Sequence, residues 1–492
     1  MSDAAEDEIL AWLTGTAERR IDTACAHVFL GRERALKIKR HEDLGYVDFS
    51  TADRRLWALK RELAFNQAIV SDIYRAVRRI TREADGSLAI DGHGETVDHV
   101  LEMRRFSDDA VLAAHPDGVD SELAERLGRM IAGMHAAAPL REEGGLASLS
   151  WTVGSNARLL RAIPGLDPSR VEYLLALTEA ALERHAALLA HRSASGFARR
   201  CHGDLHLGNI LVENGEPKPF DCIEFSDILS DLDVQYDLAF LLMDLEFRDR
   251  RDAATRVLAA YLDEAARCFP PDLWDGLATL PLMLSVRAAV RAHVSAHGGD
   301  VALARAYVEA AIAHLSPTPP VLAAVGGYSG AGKSAFARAV APRLGASPGA
   351  VVMRTDVVRK RLAGLSPTER APPDAYAPEP TARAYDALFD SARAILRAGQ
   401  AVVLDATFID PGLRVRAESL AAECGVAFHG IWLEAPAPVL AQRVSARRGD
   451  ASDATVETLE SQLGRDLGTL AWERVDASGP PGAAADAWRP GR

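Results

Sequence analysis

The chain has 492 residues, 48% of them hydrophobic and 25% charged, with a formal net charge of −13. That length accommodates two or three domains with cores of their own, and the acidic balance argues against nonspecific nucleic-acid binding as the main business of the chain. No apolar run approaches the ~18 residues of a membrane span. The acidic start, Ser2-Asp3-Ala4-Ala5-Glu6-Asp7-Glu8, has neither the basic nor the apolar region of a signal peptide. Five scattered cysteines without a C-x-x-C argue against disulfides or zinc and for a reducing, cytoplasmic setting. Only six of the 56 basic residues are lysines, which makes each lysine worth inspecting, because a compact ammonium and a planar guanidinium are not interchangeable beside phosphate oxygens.

In chain order, Val28–Leu30 and Ala35–Lys39 read as a hairpin turned through residues 31–34. Alternation puts Leu36 and Ile38 on one face of the second strand and Lys37 and Lys39 on the other. Residues 52–70 read as a helix with Leu56, Leu59, Leu63 and Ala64 as its apolar stripe and Glu62 off that stripe. A strand lysine followed by a helical glutamate is the ion pair that holds ATP phosphates in kinase folds. The pattern leaves Lys37 and Lys39 open as partners of Glu62, with Lys37 favoured by its place in the strand. Two further strands are expected at 75–82 and 96–103, then a mainly helical region over 120–189.

His202-Gly203-Asp204 followed by Asn209 has the H-x-D-x-x-x-x-N spacing of a kinase catalytic loop. In that pattern Asp204 accepts the proton of the attacking hydroxyl or orients it, and Asn209 holds magnesium. A strand from Ile210, a turn at Gly215 and Pro219-Phe220 then deliver Asp221, a carboxylate placed for the metal that bridges ATP phosphates. The run His202–Leu211, the Phe220-Asp221-Cys222 segment and Asp237-Leu238-Ala239 resemble the aminoglycoside phosphotransferase-like kinases, in an uncharacterised bacterial branch. The resemblance covers residues 20–315 and implies a two-lobed α+β protein-kinase-like domain in which Asp237 braces the catalytic loop. Two features depart from the pattern. No glycine-rich loop precedes Lys37, where only Gly31 is present, and the metal segment reads Asp-Cys-Ile rather than Asp-Phe-Gly.

Ser316-Pro317-Thr318-Pro319-Pro320 breaks the preceding helix as a linker. A short buried strand, Val321–Val325, leads into Gly327-x-x-Gly330-Ala331-Gly332-Lys333-Ser334, a complete G-x-x-x-x-G-K-[ST] loop. Its backbone N–H groups cradle phosphates, Lys333 supplies charge and Ser334 ligates magnesium. Residues 351–356 read as a strand ending in Asp356, with Arg359 one helical turn later. A helix over 381–399, with Ala384, Leu388, Ile395 and Leu396 inside, feeds a strand ending in the Walker-B-like Asp405. Strand–helix alternation of this kind makes an α/β P-loop NTPase domain with a parallel sheet. A strand at 431–433 precedes Arg443, Arg447 and Arg448, candidates for a phosphate-clamping lid.

Asp356-x-x-Arg359, Asp405–Phe408 and the arginine-rich segment up to Ala454 resemble the small-molecule and polynucleotide kinase branch of P-loop proteins. Gluconate kinase, the kinase half of polynucleotide repair enzymes and zeta-type toxins belong to that branch. The resemblance implies that Asp356 is the general base, that Arg359 places the acceptor, and that Arg443 and Arg447 form the lid. The expected organisation is a kinase domain over 1–315, a linker over 316–320, a P-loop kinase domain over 321–477 and a disordered tail over 478–492. The expected activity is bifunctional transfer of the γ-phosphate of ATP, with Mg2+, to hydroxyls of small-molecule acceptors. The alternatives are one catalytic domain with an ATP-binding regulator, or a polynucleotide 5′-hydroxyl kinase in the second half. Neither the acceptors nor the oligomeric state follow from these motifs.

Overall fold

A computed structural model of the chain describes residues 3–23, 25–43, 47–316, 318–446 and 451–489. Helix α1 (Asp3–Gly15) lies against an antiparallel sheet of six strands: β1 (Arg19–Asp22), β2 (Ala26–Leu30), β3 (Arg34–Lys39), β4 (Tyr74–Arg82), β5 (Leu88–Ile90) and β6 (Glu95–Arg104). Their order is β1-β2-β3-β6-β4-β5. The β2–β3 hairpin pairs Val28 with Lys37, so the expected alternation holds. Leu36 and Ile38 pack with Ile9, Leu13 and Phe29, while Lys37 and Lys39 face α2 (Ala52–Ile69).

Helix α2 corrects the expected stripe. Its buried face is Arg55, Ala58, Leu59, Glu62 and Asn66, whereas Ala64 is exposed. Glu62 lies at the centre of that face because two lysines neutralise it there, a burial that hydrophobic periodicity does not register.

The second lobe is mostly helical. It contains α3 (Ser121–Ala137), α4 (Leu146–Arg161), α5 (Pro168–Arg192), the short α6 (Asp227–Ser230), α7 (Val234–Phe247), α8 (Arg251–Cys268), α9 (Leu280–His297) and α10 (Val301–His314). Two small antiparallel pairs complete it: β7 (Ala198–Arg200) with β10 (Asp231–Asp233), and β8 (Ile210–Glu213) with β9 (Glu216–Pro219). Helix α7 is buried almost throughout, from Val234 to Leu245, and forms the lobe's axis. Among the described residues one segment, Pro271–His297, is long and apolar enough by length and composition to cross a membrane, contrary to the expectation of no such run. Its most apolar 18-residue stretch is 78% buried within this helical core.

The third layer is a five-stranded, wholly parallel sheet flanked by helices. Its strands are β11 (Val321–Gly326), β12 (Val351–Arg354), β13 (Val402–Asp405), β14 (Ala427–Glu434) and β15 (Glu473–Asp476), in the order β12-β13-β11-β14-β15. Leu322–Val325 and Val402–Leu404 are continuous apolar runs because a parallel sheet is covered on both faces. The helices are α11 (Lys333–Val340), α12 (Thr355–Leu362), α13 (Pro378–Arg397), α14 (Pro411–Cys424), α15 (Ala437–Ala446), α16 (Val456–Leu463) and α17 (Ala483–Ala487).

Residues 478–489 are not the disordered tail their Gly, Pro and Ala content suggests. Trp488, 4% exposed, packs its ring against Phe336 of α11, and Arg343 donates to the carbonyls of Ala485 and Trp488. One large aromatic anchor outweighs the ordering entropy of a short segment. The parallel-sheet layer touches the helical lobe through α8: Arg251 donates to the Gly345 and Pro348 carbonyls, and Thr255 Oγ1 to the Pro348 carbonyl.

Candidate active sites

The first site lies where the antiparallel sheet meets the catalytic loop. Lys37 Nζ is 2.7 Å from Glu62 Oε1 and 2.5 Å from Asp221 Oδ1. Lys39 Nζ is 2.7 Å from Glu62 Oε2 and 2.6 Å from Glu224 Oε1. Both lysines therefore pair with Glu62, and Lys37 is the one that reaches Asp221. Burial alone would raise the Glu62 carboxyl, but the two ammonium groups overcome it and hold the pKa down at about 2. Burial pushes Glu224 the other way, above the usual carboxylate range, although Lys39 opposes the shift.

Asp221 has φ +63° and follows the β8–β9 hairpin. Its N–H donates to the Tyr74 hydroxyl, and the next N–H, of Cys222, donates to Asn66 Oδ1 on α2. Asp221 is thus pinned by residues from β4 and α2 that no motif marks. Asn209 Nδ2 donates to Asp204 Oδ2 at 2.9 Å and to the Asp204 carbonyl at 3.0 Å. Burial would raise the Asp204 carboxyl, but His206, 3.5 Å away, with His202 and Arg287 brings it well below the usual range.

Asp237 is wholly buried on α7. Its Oδ2 accepts the His202 N–H and its Oδ1 the Gly203 N–H, while His135 Nε2 lies 3.1 Å from Oδ2. The brace therefore acts through the loop backbone, and the His202 ring instead meets the Phe220 carbonyl. Arg287 of α9 donates to the Gly203 carbonyl. Gly203 has φ +84°, and a Cβ there would lie 2.7 Å from the Leu229 carbonyl oxygen, so only glycine fits this turn. His135 and Arg287 went unseen in the sequence, because a histidine and an arginine on long apolar helices carry no spacing signal.

The second site is a cavity of about 400 Å3 at the C-terminal edge of the parallel sheet. Gly330, Gly332, Lys333, Ser334, Asp356, Arg359, Asp405 and Arg443 line it. Gly327 reaches φ +142°, and Gly330 lies so close to α15 that a Cβ would be 2.5 Å from the Leu440 carbonyl oxygen. Gly332, at φ +87°, opens α11 as its N-cap. Lys333 Nζ donates to the Tyr328 carbonyl, and Ser334 Oγ to Asp405 Oδ2 at 2.5 Å. Arg354 Nε is 3.2 Å from the same carboxylate oxygen.

Asp356 sits in the first turn of α12 rather than at the end of a strand, and burial raises its pKa, with Arg354 pulling down and Asp405 pushing up. Arg359 donates to the Ala375 carbonyl and Thr381 Oγ1 and stacks over Tyr376 at 4.7 Å. Arg443 donates to the carbonyls of Gly330, Ala477, Ser478 and Gly479, which ties the C-terminal segment to the phosphate loop. Pro481 of that segment lines the cavity, a contribution hidden by the expected disorder. Arg447 and Arg448 lie outside the described residues.

The oxygen donors of both centres suit a hard divalent cation: Asn209 and Asp221 in the first, Ser334 and Asp405 in the second.

Residues 72–277 match the model of the phosphotransferase enzyme family, and residues 322–465 match that of an AAA domain. An uncharacterized protein of Mycobacterium tuberculosis (strain ATCC 25618 / H37Rv) is 31% identical over 493 residues, covering 95% of each chain. A protein of Mycobacterium bovis (strain ATCC BAA-935 / AF2122/97) matches to the same extent. Among solved structures, a gluconokinase from Sinorhizobium meliloti 1021 is 21% identical, covers 35% of this chain and 90% of its own, and gives a TM-score of 0.24. A choline kinase from Cryptosporidium parvum Iowa II is 11% identical, covers 63% and 93%, and gives a TM-score of 0.38.

Proposed function

Because the chain belongs to the same family as these mycobacterial proteins and carries two kinase-type domains, we propose that it is a bifunctional phosphotransferase. Each domain transfers the γ-phosphate of ATP to a hydroxyl of a small-molecule acceptor. The observation that carries this reading is the presence of two separate, internally complete sets of groups. One is Lys37, Glu62, Asp204, Asn209 and Asp221; the other is Lys333, Ser334, Asp356, Arg359 and Asp405.

At the first centre Lys37, fixed by Glu62, steadies phosphate oxygens, and Asp204 orients the acceptor hydroxyl and takes its proton as the oxygen attacks. Asn209 and Asp221 would hold Mg2+, which offsets phosphate charge. At the second, backbone N–H groups at the start of α11 and Lys333 bind the phosphates. Asp356, whose raised pKa suits a base, accepts the proton, and Arg359 and Arg443 supply positive charge at the rim. Ser334 and Asp405 would hold the ion there. Five scattered cysteines without a C-x-x-C favour a cytoplasmic setting, and the acidic balance disfavours a polynucleotide acceptor.

The test is transfer from γ-labelled ATP with Mg2+ into a fractionated metabolite extract, comparing wild type, Asp204→Ala and Asp356→Ala. Two labelled products, each lost in a different variant, are expected. Label only in free phosphate or on the protein would replace this reading with one catalytic domain and a nucleotide-driven regulator.

A further inference from the structure

Between α3 and α8 of the helical lobe and α11 and β12 of the parallel-sheet layer lies a cavity of about 500 Å3 that neither centre uses. It adjoins the phosphate-loop cavity, since Arg338 and Arg354 line both. Arg338 lies on α11 one turn beyond Ser334, so this wall is the helix that begins at the phosphate loop.

The charges in the cavity are unevenly matched. One carboxylate, Glu125 of α3, serves three guanidinium groups: Arg338 at 3.1 Å, Arg129 at 3.5 Å and Arg256 of α8 at 3.7 Å. Burial, and then the neighbouring Arg338, lowers the pKa of Arg256, so this charge is held at a cost. A dianion taken up here relieves that repulsion, and planar guanidinium forks suit the oxygens of a phosphate. Of the other carboxylates that line it, Glu122 is paired with Arg126 and Glu264 with Arg267. Asp263 is half-buried and has the charges of Arg361, Arg354 and Arg338 around it, but among the described residues makes no hydrogen bond and no ion pair within 4.0 Å. Burial raises its pKa to about 6, so it exchanges between acceptor and donor near neutrality and can meet a hydroxyl in either form.

We propose that this interdomain cavity is a binding site for a small phosphorylated polyol, with the phosphate on Arg256 and Arg338 and a hydroxyl on Asp263. A phosphomonoester with remaining hydroxyls is also the class of compound a hydroxyl kinase releases. The cavity therefore offers the two layers a common ligand that touches the helix of the phosphate loop. Binding there does not depend on either centre being active.

The experiment is calorimetric titration of the full chain carrying Lys333→Ala, which weakens the competing anion site in the phosphate loop. The probes are glucose 6-phosphate, glycerol 3-phosphate and inorganic phosphate. Arg256→Ala is expected to weaken all three by about tenfold or more, the loss of charge-assisted hydrogen bonds. Asp263→Asn should weaken the two phosphorylated polyols and leave inorganic phosphate unchanged. Arg256→Lys, which keeps the charge and most of the packing, should fall between wild type and Arg256→Ala and separates recognition from misfolding. Absence of binding by both polyol phosphates up to about 10 mM, or affinities indifferent to Arg256 and Asp263, would overturn the assignment.

Discussion

Replacing Glu62 by glutamine removes the charge on which Lys37 and Lys39 both converge. Glu62 is fully buried, and both of its carboxylate oxygens are engaged at 2.7 Å. Breaking a buried charge cluster from one side costs about 3–5 kcal/mol; here Lys37 keeps Asp221 and Lys39 keeps Glu224, so the lower end applies. The depressed carboxyl gives a similar figure: a pKa moved from 4.5 to about 2 corresponds to about 3 kcal/mol of folded-state preference for the ionised form. The stabilisation is complete above the unfolded-state pKa, near 4.5, and is lost as the pH falls toward 2. Urea denaturation of wild type and Glu62→Gln should therefore differ by about 3 kcal/mol at pH 7, with a gap that narrows below about pH 4.5. In calorimetry the affected transition should fall by roughly 6–12 °C. A difference under about 1 kcal/mol at neutral pH, or a gap that stays constant between about pH 5 and pH 3, would refute the buried ion cluster as the organiser of this site.

Asp237→Asn leaves the backbone donors of His202 and Gly203 competing for one acceptor and removes the charge beside His135. A loss of about 2–3 kcal/mol is expected by denaturation, with transfer at the first centre falling and transfer at the second unchanged. The acid limbs of the two activities should separate. Asp356 has a raised pKa and Asp204 a depressed one, so second-centre transfer fails at the higher pH as acid is added. pH profiles of Asp204→Ala and Asp356→Ala, each reporting the surviving centre, check this, and coincident or reversed limbs would contradict it. Trp488→Ala removes the anchor of the C-terminal segment and should cost about 3 kcal/mol while raising the KM for ATP at the second centre. An unchanged KM would mean that the segment's place beside the phosphate loop has no part in binding.

Local pattern carried a great deal here. The phosphate loop, the strand ending in Asp405 and the catalytic loop from His202 to Asn209 are contiguous stretches in which residue type and spacing are themselves the geometry. A tight turn needs glycine and a helix start presents free N–H groups wherever that sequence occurs. Periodicity misplaces the stripe on α2, because it counts only apolar side chains and a buried carboxylate is stabilised there by lysines 23 and 25 positions away. Composition alone makes the C-terminal segment look disordered, because it does not register a single tryptophan that packs against Phe336 of α11.

The sequence by itself determined two kinase-type domains, their order and most of the residues gathered at the two centres, since these lie in short motifs with local backbone requirements. Tertiary structure alone decided how those groups are held. It gave Glu62 two lysines rather than one, bound Lys39 to Glu224, set Asp237 under the catalytic loop beside His135 and Arg287, and brought Glu125 against Arg338 between the layers. Each of those contacts joins residues far apart in the chain, and its energy depends on burial and on mutual distance, quantities that exist only once the chain has folded.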